Sequence, residues 1–177
     1  MSRFVSKILV NKMINQQQLA TLELIVFDFD GVFTDNTVYV SHDGIESVQC
    51  WRSDGLGLSR LKRLGLPLYI VSTEKNPVVS VRAEKLVVPV RQGMNDKSQA
   101  VDELCTELGV ALERTMFVGN DINDIPAFKI VGIPVGVADA YPEVDPYILF
   151  RTQTKGGRGA VREICDLVYA AKNGVDS

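Results

Sequence analysis

The stretch LELIVFDFDGVFTD, residues 22–35, carries the reading that decides the fold. Residues 22–27 form a short apolar run of the kind that marks a strand buried in a parallel sheet. The run breaks at once into Asp28, Phe29, Asp30 and Gly31. In an extended segment Asp28 and Asp30 project to one side, while Phe29 points into the packing. Two carboxylates this close repel each other unless a cation bridges them or one keeps its proton. Gly31 then lets the chain turn. A strand end running into an Asx-turn is a common fate for one aspartate, and less so for D-x-D-G-x-x-T-D after an apolar run.

Further apolar runs follow at LPLYIV (66–71), TMFV (115–118) and IPVGV (133–137), with a weaker one at LVVPV (86–90). Helical patterns lie between them. Residues 55–65 carry apolar side chains at 56, 58, 61 and 64 and stop at Gly65; residues 76–85 open with Asn76 as cap and Pro77 at the first helical position. Residues 96–109 have Asp96 as cap, a stripe of Val101, Leu104, Cys105 and Leu108, and Gly109 as the stop; a last helix spans about 159–172. Strand alternating with helix predicts an α/β fold, a doubly wound, Rossmann-like parallel sheet. Ligands of such sheets bind beyond the carboxyl ends of the strands. The segment NTVYVSHDGIESVQCW (36–51) departs from the alternation: two runs flank His42-Asp43-Gly44, which predicts an antiparallel hairpin inserted after the first strand. It would lie as a flap over the same edge, with no large cap domain.

Length and composition agree with one domain over residues 22–177, preceded by an amphipathic leading helix or arm over 1–21. Lys and Arg total 19 against 22 Asp and Glu, a net charge of −3, which argues against a nucleic-acid partner. Any anionic ligand must be met by a local basic cluster. Cys50, Cys105 and Cys165 are odd in number and far apart, which fits free thiols in a reducing compartment better than zinc or disulfides. No apolar run has the length of a membrane span, and polar residues interrupt the basic N-terminal segment as they would not in a signal peptide. The expectation is a cytoplasmic protein with no membrane partner.

Each strand end carries polar groups. Asp28 and Asp30 follow the first, Ser72, Thr73 and Glu74 the second, and VGNDINDIP (118–126), with Asn120, Asp121 and Asp124, ends the third; Lys97 stands ahead of the 96–109 stripe. Singly these have plainer readings: Ser and Thr are ordinary turn residues, most such lysines are solvated, and the asparagine-rich stretch is a polar turn. Together they supply acids for Mg²⁺, hydroxyl donors and an ammonium, the inventory of phosphoryl transfer.

DFDGVFTD, the VST strand end, Lys97 and GNDIND, in this order on these elements, resemble the haloacid dehalogenase superfamily of aspartate-nucleophile phosphatases. The hairpin in place of a cap domain and the ending KGGRGAVRE (155–163) are similar to its small capless branch. That branch includes phosphatases of 2-keto-3-deoxy sugar acid phosphates, and the likeness runs from about residue 22 to about 170. It implies that Asp28 attacks phosphorus, that Asp30 acts as general acid and then base, and that Lys97 pairs with nucleophile and phosphate. Ser72 and Thr73 would bind the phosphate. Asp28, the Asp30 backbone carbonyl and the loop of Asn120, Asp121 and Asp124 would hold Mg²⁺. Asn120 departs from the family, where many members have an aspartate ligand. The amide oxygen can still ligate but brings no charge, and Asp121 or Asp124 could restore it directly or through water.

For the substrate, helical spacing puts Arg82 and Lys85 on one face, which by itself reads as a solvated or salt-bridged surface. Glu74 followed by RAEKL is similar to the branch acting on nine-carbon keto-acid 9-phosphates; Arg82 and Lys85 would then meet the sugar carboxylate and Glu74 its hydroxyls. The eight-carbon 3-deoxy-manno-octulosonate 8-phosphate is the alternative substrate. A non-catalytic assembly domain related to acylneuraminate cytidylyltransferases, and a phosphate-sensing receiver, are alternatives in other classes. Arg158 in its glycine loop faces an anion or merely sits in a connection; Arg52 and Asp54 contact substrate or cap the 55–65 helix. His42 reads as a solvated turn residue. The resemblance also implies a homotetramer with each site completed by a neighbouring subunit.

Overall fold

The computed structural model describes residues 15–174. Most of the expected 1–21 arm lies outside them; within them α1, Gln16–Ala20, is capped by the Asn15 side chain, which accepts the Gln17 N–H at 3.0 Å. The Lys172 ammonium closes its far end by donating to the carbonyls of Ala20 and Leu22 at 3.0 and 2.6 Å.

The main sheet has six parallel strands: β1 (Leu24–Phe27), β4 (Leu68–Val71), β5 (Val90–Arg91), β6 (Thr115–Gly119), β7 (Ile133–Gly136) and β8 (Phe150–Arg151), in the order β5-β4-β1-β6-β7-β8. Every residue of β1 is buried, which is why its sequence is uniformly apolar rather than alternating. The chain leaves β1 for β4 and β5 on one side and returns to β6, β7 and β8 on the other, so the strand order reverses beside β1. That is the crevice in which such sheets bind ligands. In register, Phe27 pairs with Val118 of β6 and Ile70 of β4, and the Asp28 N–H extends the ladder to the Val118 carbonyl at 2.8 Å.

The connections are α2 (Asp54–Arg63), α3 (Val78–Leu86), α4 (Lys97–Leu108), the short α5 (Ile125–Phe128) and α6 (Ala160–Lys172). The expected caps are in place. Asn76 accepts the Val78 N–H at 3.0 Å, Asp96 accepts the Ser98 N–H at 2.9 Å, and Gly109 closes α4 in the left-handed region. Two expectations shift. LVVPV is not a five-residue strand: Leu86 belongs to α3, Val87 is its left-handed cap with φ 53°, and only Val90–Arg91 pairs with β4. Pro89 has no N–H for a ladder, so pairing starts after it. The two-residue β8 was not anticipated.

The flap is there. β2 (Thr34–Val40) and β3 (Glu46–Cys50) pair antiparallel as a separate ribbon, with a register shift between Thr34 and Val38 where Asn36 takes φ 63°. Its apolar side chains Val38, Tyr39, Val40 and Ile45 are exposed. The glycine loop before α6 is packed rather than loose. A Cβ on Gly156 would sit 1.8 Å from the Gly31 carbonyl oxygen, and one on Gly157 would sit 2.2 Å from the Asp35 nitrogen. The loop is therefore a seat for the turn that follows β1. Gly109→Ala meets open space and carries only the left-handed strain of about 1–2 kcal/mol. Gly156→Ala must displace backbone, so denaturant unfolding is expected to show a loss of about 3 kcal/mol or more.

Candidate active site

The β1 end is built around one ammonium. Asp96 caps α4, which puts Lys97 in the first helical turn with its side chain running inward, 1% exposed. Its Nζ donates to Asp28 Oδ1 at 2.7 Å and to Asp124 Oδ1 at 2.6 Å, and all three side chains are buried. Asp124 Oδ2 accepts the N–H groups of Asn120 and Asp121 at 2.7 and 3.2 Å, so the loop after β6 folds around this carboxylate. A Cβ on Gly119 would meet Asp124 Oδ2 at 2.4 Å; the approach requires glycine. Asp121 caps the following turn by accepting the Ile122 N–H at 2.7 Å. The Asn120 side chain is buried against Gly31, whose hypothetical Cβ would lie 2.1 Å from Asn120 Nδ2. The amide thus lies beside the Asp30–Gly31 peptide.

Charge follows from this packing. Burial, then the neighbouring Asp124, pushes the Asp28 carboxyl up to about 7, while Lys97 pulls the other way. Burial alone would lower the Lys97 ammonium, but Asp28 and Asp124 overcome it and hold the amine protonated above its usual range. One ammonium shared by two carboxylates neutralises only one of them. Asp30 is half-buried, and its carboxyl is raised by burial, by Glu74 and by Glu46, against the pull of Lys97. A carboxyl biased toward its protonated form is what a general acid requires.

On β4's end, Ser72 is buried beyond Val71; its N–H donates to the Arg91 carbonyl at 2.9 Å and its Oγ accepts the Glu74 N–H at 3.1 Å. Thr73 is exposed beside it. Glu74 Oε1 accepts the N–H groups of Lys75 and Asn76 at 2.6 and 2.7 Å, which fixes this carboxylate near Asp30. Asn76 also donates to Glu46 Oε2 of the flap at 3.0 Å. The sequence shows Asn76 only as a helix cap and is silent on Glu46, because nothing in their spacing announces a partner 30 residues away.

The residues expected at the substrate are spread over several elements. Arg158 pairs with Asp35 at 3.0 Å at the foot of the flap. Arg52 and Lys85 are exposed. Arg82, three residues before Lys85 on α3, reaches the end of the flap, where Nη2 donates to the Trp51 carbonyl at 3.2 Å. Asp54 does not cap its own helix: its Oδ1 accepts the Arg162 N–H at 3.1 Å, in the first turn of α6. That end of α6 thereby meets an internal carboxylate, so the anion-facing reading of the glycine loop gives way to packing. Asp124 bonds Lys97 through Oδ1 and two backbone amides through Oδ2.

Among the described residues no group of three His, Cys, Asp or Glu side chains is arranged to hold a metal ion. Hard oxygens are nonetheless present in the Asp28 carboxylate, the Asp30 carbonyl and the Asn120 amide, beside an uncompensated negative charge. That donor set fits a hard divalent cation with few charged ligands.

The model of the haloacid dehalogenase-like hydrolase family matches residues 72–164. The 3-deoxy-D-manno-octulosonate 8-phosphate phosphatase KdsC of Yersinia pestis is 35% identical over 158 residues, covering 89% of this chain and 84% of that protein. The chain belongs to the haloacid dehalogenase-like hydrolases. A solved HAD-family protein from Streptomyces avermitilis shares 44% identity at a TM-score of 0.82, with 89% of each chain covered. The 3-deoxy-D-manno-octulosonate 8-phosphate phosphatase of Moraxella catarrhalis, solved with a magnesium ion, a phosphate ion and KDO, has TM-score 0.86 at 31% identity, covering 91% of this chain and 93% of that one. The protein is a phosphatase of this family, built on its sheet without a large cap domain.

Lys97→Met leaves two buried carboxylates without their ammonium, and is expected to cost about 3–5 kcal/mol near neutral pH. The substitution removes the pull of Lys97 against the burial that raises the Asp28 carboxyl, so the stability this group allows is present at low pH and lost as pH rises through its folded-state value. The deficit relative to wild type, read by thermal unfolding, should be largest near about pH 8 and shrink toward about pH 5.

Proposed function

We propose that this phosphatase hydrolyses a 2-keto-3-deoxy sugar acid phosphate, through an aspartyl-phosphate on Asp28 and with Mg²⁺ as cofactor. The observation that carries the reading is the buried Asp28–Lys97–Asp124 cluster at the sheet's crevice, with the raised Asp30 carboxyl beside it. Ionised Asp28 attacks phosphorus while the ester P–O bond breaks, and Asp30 gives its proton to the leaving sugar oxygen. Asp30, now a carboxylate, takes a proton from the water that attacks the same phosphorus, releasing phosphate and restoring Asp28. The Lys97 ammonium offsets charge on the transferred oxygens, and the Ser72 and Thr73 hydroxyls orient them. Asp28, the Asp30 carbonyl and Asn120 would hold the cation, with Asp121 next to them; when bound it neutralises the nucleophile and phosphate together.

A nine-carbon 9-phosphate is the reading favoured by Glu74 followed by RAEKL, through its likeness to the branch that acts on such esters, and the Glu74 carboxylate stands near Asp30. The eight-carbon 8-phosphate is favoured instead by the names of the Yersinia and Moraxella relatives. The exposed apolar flap supports a homotetramer in which Arg82 and Lys85 meet the sugar carboxylate across a subunit interface, with Arg52 as a further substrate contact. No helix among the described residues is long and apolar enough to cross a membrane, which is compatible with a cytoplasmic setting.

A phosphate-release screen over eight- and nine-carbon keto-acid phosphates, with and without Mg²⁺, tests this directly. Turnover of one of them is expected, reduced about a thousandfold or more by Asp28→Asn. Turnover that survives this substitution, or its absence for every ester, would sink the proposal. Asn120→Asp adds a charged ligand and should lower the Mg²⁺ concentration needed for half-maximal thermal stabilisation by about tenfold. Lost activity in that variant would remove position 120 from the ligand set.

A further inference from the structure

Asp54 and Arg82 leave complementary atoms without partners. Asp54 opens α2 directly after the flap, and its side chain is fully buried. While Oδ1 holds the Arg162 N–H, Oδ2 is buried with no hydrogen-bond partner among the described residues. Arg82, on α3, spends Nη2 on the Trp51 carbonyl, and its Nε is also buried with no partner among them. The two charges act on each other, and both act on Cys50 at the end of β3. A guanidinium presents its donors as a planar fork, so Nε can meet a carboxylate while an Nη group keeps a carbonyl. A buried donor and a buried acceptor of opposite charge, both without partners, thus lie in one neighbourhood, because Arg82 Nη2 holds the carbonyl of Trp51, three residues before Asp54.

We infer that Asp54 is a positioning residue that latches Arg82 and, through the Trp51 carbonyl, the root of the flap to the body of the domain. In the latched arrangement Arg82 Nε donates to Asp54 Oδ2 and the carboxylate has released its proton to solvent. In the unlatched arrangement the carboxyl keeps its proton and Nε is free. The groups facing Asp54 are Arg82 from α3, Arg162 and Cys165 from α6, and Cys50 from β3. The arginines stay charged, and burial raises both thiols. Asp54 is therefore the member that titrates near neutrality: burial pushes its carboxyl up to about 7 against the Arg162 N–H and the two guanidinium groups. For catalysis, the latch sets where Arg82 stands relative to the crevice. That consequence rests on the sugar-carboxylate role proposed for Arg82, but the latch itself does not.

Trp51 is the only tryptophan in the chain and packs on Gly159, where a Cβ would lie 3.2 Å from its Nε1, so its fluorescence reports on the flap root. The test follows Trp51 emission of the full chain, without substrate or metal, from about pH 5.5 to about pH 8.5. The expected result is one transition with a midpoint of about 7 that disappears in Asp54→Asn and in Arg82→Gln. Asp28 ionises in the same range, so Asp28→Asn is run beside them and should keep the transition. A flat wild-type profile overturns the latch, as does a transition that persists in Asp54→Asn or vanishes in Asp28→Asn. Should Asp54→Asn fail to fold, persistence in Arg82→Gln overturns it equally. Failure of the phosphatase reading would show in the turnover screen and leave this emission profile untouched.

Discussion

One ammonium held between two buried carboxylates sets the terms for the rest of the molecule. Lys97 reaches Asp28 and Asp124 only because Asp96 starts α4 where it does, β1 and β6 run in register, and Gly119 lacks a side chain. Taking ions out of water costs several kcal/mol each unless their geometry is good, so these conditions must be met together. The arrangement still leaves one negative charge too many. That surplus makes the crevice receptive to a hard cation, and burial together with the surplus raises the Asp28 carboxyl when none is bound.

Much of this was legible from residue order because the relevant signals are local. A continuous apolar run ending in D-x-D-G can only be a buried strand with its acids at the rim, and Asp96, Gly109 and Asn76 act within their own helices. The losses came where a residue acts at a distance. LVVPV looked like a strand because apolar residues closing a helix are indistinguishable by periodicity from the start of one. Asp54 caps a helix more than a hundred positions away. GGRG suggested flexibility, yet its glycines are needed for backbone contact with the turn after β1. Within GNDIND, spacing showed two aspartates but not that Asp124 would be drawn inward to Lys97, leaving Asp121 as a cap.

The domain divides its work accordingly. The sheet and α4 fix Asp28, Lys97 and Asp124 through short, buried, charged contacts. The flap and the loop after β4 bring Glu46 and Glu74 close to Asp30, tied together by Asn76, so the outer elements act on Asp30 without touching Asp28. Substrate preference can therefore change at the rim while the inner cluster stays as it is.

The sheet's two margins carry a consequence for how copies of the chain meet. Both edge strands, β5 and β8, are only two residues long, and each ends in an arginine drawn back onto its own subunit. Arg91 pairs with Glu103 at 3.2 Å, and Arg151 Nε donates to Asp145 at 2.8 Å. Short, charged margins offer no template for strand addition, which protects a crowded solution of the folded chain from edge-to-edge growth into fibrils. The flap ribbon is made the opposite way, with seven- and five-residue strands and uncovered valine and tyrosine side chains. Those side chains leave the ribbon, unlike the margins, with an apolar surface open to contact.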